Sequence, residues 1–200
     1  MNIGILGGTF DPPHIGHLIV AEQARAQLQL DEVWFAPAGQ PPHKLDRRVS
    51  EAKHRVAMTK LAIADNPCFK LCLADVERPG PHYSTELMRI LREQHPRNQW
   101  YFIIGGDSLA DLPNWHEPQQ FVQLAKLAVA HRPGFQPDLV ALEQTIPGLS
   151  QRVAWVNSPL VYVSSSDLRA RARQGLPLRY VVPDGVEAYV QQHRLYEGRR

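Results

Sequence analysis

The chain opens Met1-Asn2-Ile3-Gly4-Ile5-Leu6 and continues Gly7-Gly8-Thr9-Phe10-Asp11-Pro12-Pro13-His14-Ile15-Gly16-His17. A short apolar run stopped by a glycine pair predicts a strand over 1–6. Beyond it, Leu18, Val20, Ala21, Ala24 and Leu28 recur at helical spacing, which predicts a helix over 17–28. Strand, glycine-bearing turn and helix, in that order, form the first unit of an α/β sheet. In such a unit the turn amides and the start of the helix together attract anions.

The alternation continues along the chain. Val33–Ala36 is the next strand, and a long loop with Pro37, Gly39, Pro41 and Pro42 follows it. Ser50–Ala64 is a helix expected to turn Val56, Leu61 and Ala64 inward. Phe69–Ala74 alternates as a strand, and Ser84–Glu93 is a helix with Ser84 as its expected N-cap. Trp100–Ile104 (WYFII) is continuously apolar, as befits a strand buried on both faces, and runs into Gly105-Gly106-Asp107. A helix at Pro118–Leu124 precedes a strand at Lys126–Ala130, then come a helix near Asp138–Gln144 and short strands at Val153–Val156 and Leu160–Val163. Helices at Ser165–Gln174 and Pro183–His193 close the chain. The expectation is an α/β fold with a doubly wound, mostly parallel sheet, a helical C-terminal part and one domain over residues 1–200. Ligands in such folds bind at the carboxyl ends of the strands, near the switch in strand order.

Composition narrows the class. The 200 residues are 44% hydrophobic and 21% charged, a globular balance. Proline is the departure, with 17 residues against a usual share of about 5%. It forms no repeat, and many copies fall in loops after predicted strands, where a fixed φ stiffens a binding rim. A net charge of +2 suits an anionic small substrate and carries no concentrated basic stripe, so a nucleic-acid partner is not expected. Cys68 and Cys72 match no metal or redox spacing and are expected as small apolar residues beside a strand. No run approaches the ~18 apolar residues of a membrane span, and the start lacks a signal peptide's charged region. A soluble, cytoplasmic protein is the expectation, and no sequence feature assigns an oligomeric state.

The chemistry concentrates in residues 7–17. The segment is neither the dinucleotide-binding GxGxxG nor the P-loop GxxxxGK[ST]. It carries instead His14 and His17 around Gly16 at a helix start. Three readings compete. A metal pair would need further ligands, and none stands nearby in sequence, so no metal site is expected. Surface histidines without a role would not explain the surrounding glycines. Hydrogen-bond donors to an anion held at the helix start fit the dipole and the glycines together.

At this segment a resemblance enters. GGTFDPPHIGH resembles the signature of the HxGH nucleotidyltransferases, a superfamily that includes class I aminoacyl-tRNA synthetases and small adenylyltransferases. Val163-Ser164-Ser165-Ser166-Asp167-Leu168-Arg169 resembles the (I/V)SSTxxR motif of the same group. Between them stand PPHK (41–44), HRVAM (54–58), GPHYS (80–84), IIGGDS (103–108), LPNWH (112–116) and HRPG (131–134). In that order the series is similar to the bacterial nicotinate mononucleotide adenylyltransferases over nearly the full chain. Ser166 and Ser84 stand where that family usually has threonine, which keeps the hydroxyl.

The resemblance implies a Rossmann-like nucleotidyltransferase fold and adenylyl transfer from ATP to nicotinate mononucleotide, with Mg2+ accompanying ATP. It implies His14, His17 and Arg169 as catalytic contacts to the ATP phosphates. Gly7, Gly8, Thr9, Phe10, Gly105, Asp107, Arg132, Ser165 and Ser166 complete the implied ATP site, Asp107 facing the ribose. Lys44, with His43 beside it, is implied to hold the mononucleotide phosphate. Trp115 is implied to stack on the pyridine, with Tyr83 and the amides near Ser84 and His116 around the nicotinate carboxylate. Another small adenylyltransferase, such as one acting on phosphopantetheine, shares the two end motifs but lacks the PPHK and LPNWH context. A non-catalytic nucleotide-binding module would have no use for the intact His14, His17 and Arg169 set.

Overall fold

The computed structural model describes residues 1–39, 49–131 and 137–197. Its centre is β1 (Asn2–Gly8), whose Ile3 and Ile5 are completely buried. A parallel six-stranded sheet forms around it in the order β3-β2-β1-β4-β5-β6. The other strands are β2 (Glu32–Pro37), β3 (Phe69–Leu71), β4 (Gln99–Gly105), β5 (Lys126–His131) and β6 (Val153–Asn157). From β1 the chain winds outward through β2 and β3, then returns across β1 to start β4. The order therefore reverses between β1 and β4, which leaves a crevice at their carboxyl ends.

Period-two alternation divides the apolar residues between two layers. On β4, Trp100, Phe102 and Ile104 enter one core, and Ile103 enters the other. The first core is covered by α3 (Ser84–Gln94), through Leu87, Met88 and Leu91, and by α5 (Pro118–Leu124), through Phe121 and Val122. The second is covered by α1 (Ile15–Gln27), α2 (Ala52–Ala62) and α8 (Asp184–Gln192), with Ala21, Met58 and Val186 fully buried. A Cβ on Gly4 would lie 2.9 Å from Leu30 Cδ1 and 3.1 Å from Ile103 Cδ1, so a side chain there would push these core side chains aside. Cys68 and Cys72 flank β3 as free thiols, Cys72 buried. No helix among the described residues is long and apolar enough to cross a membrane.

Some expectations need correction. Leu160–Val163 is not a strand; residues 158–164 run irregularly beyond the sheet edge, where Tyr162 is 90% exposed. They have no neighbouring strand to pair with. Phe69–Ala74 shortens to three residues, because the chain turns away from β2 after the Cys72 N–H bonds Phe35 O. Gly106–Asp111 and Leu112–Asn114 form α4 and a 3-10 turn, hidden in sequence by the glycine pair and Pro113. Ser84 is the first residue of α3, and Tyr83 occupies the cap position without a side-chain cap bond. On α2 the inward face carries Arg55, Met58, Thr59 and Ala62, while Leu61, and Ala64 in the turn after the helix, are exposed. An arginine sits there because backbone carbonyls wait for it, as described below.

Candidate active site

The first wall of the site is the glycine-bearing loop where β1 ends. A Cβ on Gly7 would meet the Phe102 ring at 3.1 Å, and one on Gly8 the Phe10 ring at 3.0 Å. Phe10 turns the chain with φ 50 and buries its ring edge-on against His17. His14 caps α1, and its ring stacks on His17 with centroids 3.7 Å apart. Gly16 permits this fold-back, because a Cβ there would stand 3.1 Å from the His14 ring. The His14 N–H donates to His17 Nδ1 at 3.1 Å. With Nδ1 accepting, a neutral His17 carries its proton on Nε2, so the ring donates from that atom.

His14 is 7% exposed, and burial lowers its pKa from 6.5 to about 4. It is therefore neutral at pH 7, and the sign of its linkage to stability follows. As pH falls below 6.5, the unfolded chain takes up the proton while the folded chain refuses it down to about 4. Stability is thus full above 6.5 and is lost toward 4, by ~3 kcal/mol across the window at about 1.36 kcal/mol per pH unit. Urea titrations at pH 7 and pH 5 should show about 2 kcal/mol of loss that a His14→Asn variant lacks.

The facing wall comes from the far end of the chain. In α7 (Ser165–Arg173), Ser164 caps the helix by accepting from Asp167 N–H at 3.1 Å. Ser165 Oγ donates to Pro12 O at 2.8 Å, and Arg169 Nη1 donates to Asp11 O at 2.8 Å. Arg169 Nη2 reaches Ser166 Oγ at 3.1 Å. The two end motifs thus lie against each other, and the guanidinium is aimed along the loop that carries the histidines.

Beneath them Asp11 is 1% exposed. Its Oδ2 accepts the Ser50 N–H at 3.0 Å, and its Oδ1 accepts the Tyr196 hydroxyl at 2.7 Å. Burial and the Asp11 charge hold the Tyr196 hydroxyl protonated far above its ordinary range. Tyr196→Phe leaves a buried carboxylate oxygen without its donor, so a loss of about 1.5–3 kcal/mol is expected in urea unfolding.

The remaining walls complete a cleft of about 760 Å³. At the β4 end, Asp107 folds back over Gly105, where a Cβ would stand 2.4 Å from Asp107 Oδ1. On the other side Tyr83 stacks on His116 with centroids 4.1 Å apart. Trp115 packs against Phe102 and Phe121 from the 3-10 turn. Thr85 Oγ1, at the start of α3, donates to His116 O at 2.6 Å and fixes that strip. Glu86, His116 and Glu117 present possible metal ligands within 4.8 Å of one another, but Arg89 pairs with both carboxylates, so the donor set fits an ion-pair network.

Every expected site residue among the described ones lines this cleft: Gly7, Gly8, Thr9 and Phe10, both histidines, Gly105 and Asp107, Tyr83, Ser84, Trp115 and His116, and Ser165, Ser166 and Arg169. His43, Lys44 and Arg132 lie outside the described residues. Sequence reading passed over Asp75 and His82, which also line the cleft, and Arg55 and Tyr196, which support it.

A reversed strand order, a helix start presenting two imidazoles, and an arginine across from them define an α/β nucleotidyltransferase class of site. Residues 5–171 match the family model described as Cytidylyltransferase-like. The chain belongs to that family, and within it to the nicotinate-nucleotide adenylyltransferases. It is 47% identical over 194 residues to a Thermomicrobium roseum protein described as "Probable nicotinate-nucleotide adenylyltransferase", covering 97% of this chain and 91% of that one. A Bacillus pumilus protein of the same description is 39% identical, covering 98% of both. Among solved structures, Plasmodium falciparum nicotinic acid mononucleotide adenylyltransferase complexed with NaAD superposes with a TM-score of 0.79. That likeness covers 98% of this chain and 97% of the other at 23% identity, and it concerns the fold.

Proposed function

We propose that this protein transfers the adenylyl group of ATP to nicotinate mononucleotide in the cytoplasm, a step of NAD biosynthesis. An oxygen of the mononucleotide phosphate attacks the α-phosphorus of ATP. The bond from that phosphorus to the β-phosphate bridging oxygen breaks, giving nicotinate adenine dinucleotide and pyrophosphate. The attacking phosphate is already ionised at neutral pH, so no general base is needed and catalysis is positioning with charge stabilisation. The observation that carries the reading is the stacked His14–His17 pair at the start of α1, beside an Arg169 latched to Asp11 O.

His17 Nε2–H donates to the α-phosphate as charge builds there, and His14 supports it from the same helix start. Arg169 grips the departing β- and γ-phosphates, with the Ser166 hydroxyl and the Ser165 N–H at the start of α7 as further donors. Gly7, Gly8, Thr9 and Phe10 let the backbone approach the nucleotide, Asp107 beside Gly105 accepts from the ribose, and Arg132 adds a nucleotide-side cation. Lys44 and His43 take the mononucleotide phosphate. Trp115 stacks on the pyridine, and Tyr83, Ser84 and His116 surround its carboxylate. ATP enters as its Mg2+ complex. The ion would be carried mainly on the phosphates and water, and of the cleft carboxylates Asp111 would suit it, since Asp107 faces the ribose and Asp75 is already engaged by Arg78 and the Gly39 N–H.

A site that reads a carboxylate rejects the amide, which lacks the charge for those bonds. With ATP fixed, kcat/KM for nicotinate mononucleotide should exceed that for nicotinamide mononucleotide by at least about tenfold. Equal values would remove the acid specificity, and no turnover of either would remove the reaction.

A further inference from the structure

Arg55 is 2% exposed, and no carboxylate among the described residues lies within ion-pair distance of it. Its side-chain hydrogen bonds go to four backbone carbonyls, while the Asp11 and Asp75 carboxylates favour its charge from farther off. Nε donates to Ser50 O at 2.9 Å, Nη1 to Thr9 O at 3.1 Å and Ala38 O at 2.6 Å, and Nη2 to Gly39 O at 2.6 Å. Burial pulls its pKa down, yet a guanidinium stays charged at neutral pH. These carbonyls belong to three separate stretches of the chain. Thr9 lies in the loop that presents the histidines. Ala38, Gly39 and Ser50 are described residues flanking 40–48 on either side.

Other bonds repeat the same connection. The Ala38 N–H donates to Gly8 O at 2.8 Å, and the Ser50 N–H to Asp11. Gly39 is held from every side: its N–H donates to Asp75 at 3.0 Å, its carbonyl takes Arg55, and His82 packs over its Cα. A Cβ there would lie 2.2 Å from His82 Cε1. Only a planar fork with several divergent N–H groups can span four carbonyls at once; a lysine keeps the charge and loses the geometry.

We infer that Arg55 is a positioning residue that ties the glycine-rich loop at Thr9 to Ala38–Gly39 and Ser50, and so sets Gly39, with the Asp75 and His82 wall of the cleft packed on it, against the loop that presents the histidines. The inference rests on the adenylyl-transfer reading for its kinetic consequence and on the bonds alone for its structural one. A residue that only supports the fold would, when weakened, lower the amount of active protein and hence kcat, with both KM values unchanged. A tie between substrate segments acts on KM.

The test uses Arg55→Lys and Gly39→Ala with two readouts. In amide hydrogen exchange, peptides containing Thr9 and Ala38–Gly39 should both exchange about tenfold faster in Arg55→Lys, while the β4 peptide stays as in wild type. In steady-state kinetics, KM for nicotinate mononucleotide should rise by about tenfold in either variant, with kcat changed less than about threefold. If Arg55→Lys does not fold, Gly39→Ala, which displaces one end of the same tie, carries the kinetic test. Exchange rising in one segment alone or uniformly, or kcat falling with KM unchanged, overturns the inference. Absence of wild-type turnover would count against adenylyl transfer, while the exchange readout would still decide the tie.

Discussion

His17→Ala is expected to lower kcat by at least about 100-fold while the protein folds normally, on the usual worth of ~2.7–4 kcal/mol for one donor to transition-state charge. Two roles meet in this side chain, and they separate by atom. Nδ1 accepts the His14 N–H and helps hold the helix start, whereas Nε2–H is the donor proposed for the α-phosphate. Asparagine places an acceptor oxygen near the Nδ1 position and nothing at Nε2. His17→Asn should therefore melt like wild type and be as inactive as His17→Ala. Glutamine reaches nearer to Nε2 with an N–H2 and should recover part of the rate. A His17→Asn variant with undiminished turnover would show that the contribution is structural.

Arg169 carries the second large effect. Its guanidinium uses one arm on Asp11 O and the other on Ser166 Oγ, which fixes the plane of the fork beside the phosphate loop. On the proposed reading Arg169→Ala should cost about 100-fold or more in kcat/KM for ATP, because the charge leaving on pyrophosphate would lose its guanidinium partner. Arg169→Lys keeps the charge without the planar fork, and a loss of at least about tenfold is expected. Both substitutions also release the Asp11 carbonyl, so thermal melting belongs beside the kinetics. A stability loss without a change in kcat/KM for ATP would reduce Arg169 to a latch between α7 and the phosphate loop.

The parts of the molecule that sequence disclosed best are those whose signal is local. WYFII could only be a strand buried on both faces, and Trp100, Phe102, Ile103 and Ile104 are indeed core residues. GGTFDPPHIGH carried its own turn, helix start and donor pair, and the residues read from it line one cleft with those of the far motif. What stayed hidden depends on partners distant in sequence. Tyr196 acts on Asp11 across 185 positions, and nothing in LYEGRR marks it. Apolar periodicity points α2 inward at Val56, Leu61 and Ala64 and does not single out Arg55, because its partners are carbonyls, which have no sequence signature. Leu160–Val163 had the composition of a strand, but the sheet ends at β6 and offers it no ladder. α4 escaped because Gly105-Gly106 reads as loop, although at the end of β4 the glycine is what makes room for Asp107.

The proline excess gains a place in the same picture. Pro12 and Pro13 precede the histidine cap, Pro37 ends β2, Pro79 and Pro81 precede α3, and Pro113 lies in the 3-10 turn beside Trp115. These positions surround the cleft, where fixed φ angles lower the entropy of holding loops in place.

The central claim is tested most directly by pyrophosphate release from MgATP with each acceptor supplied alone to the purified wild-type protein. Nicotinate mononucleotide should give stoichiometric pyrophosphate and nicotinate adenine dinucleotide, and phosphopantetheine should give neither. Release with phosphopantetheine and none with nicotinate mononucleotide would contradict the account.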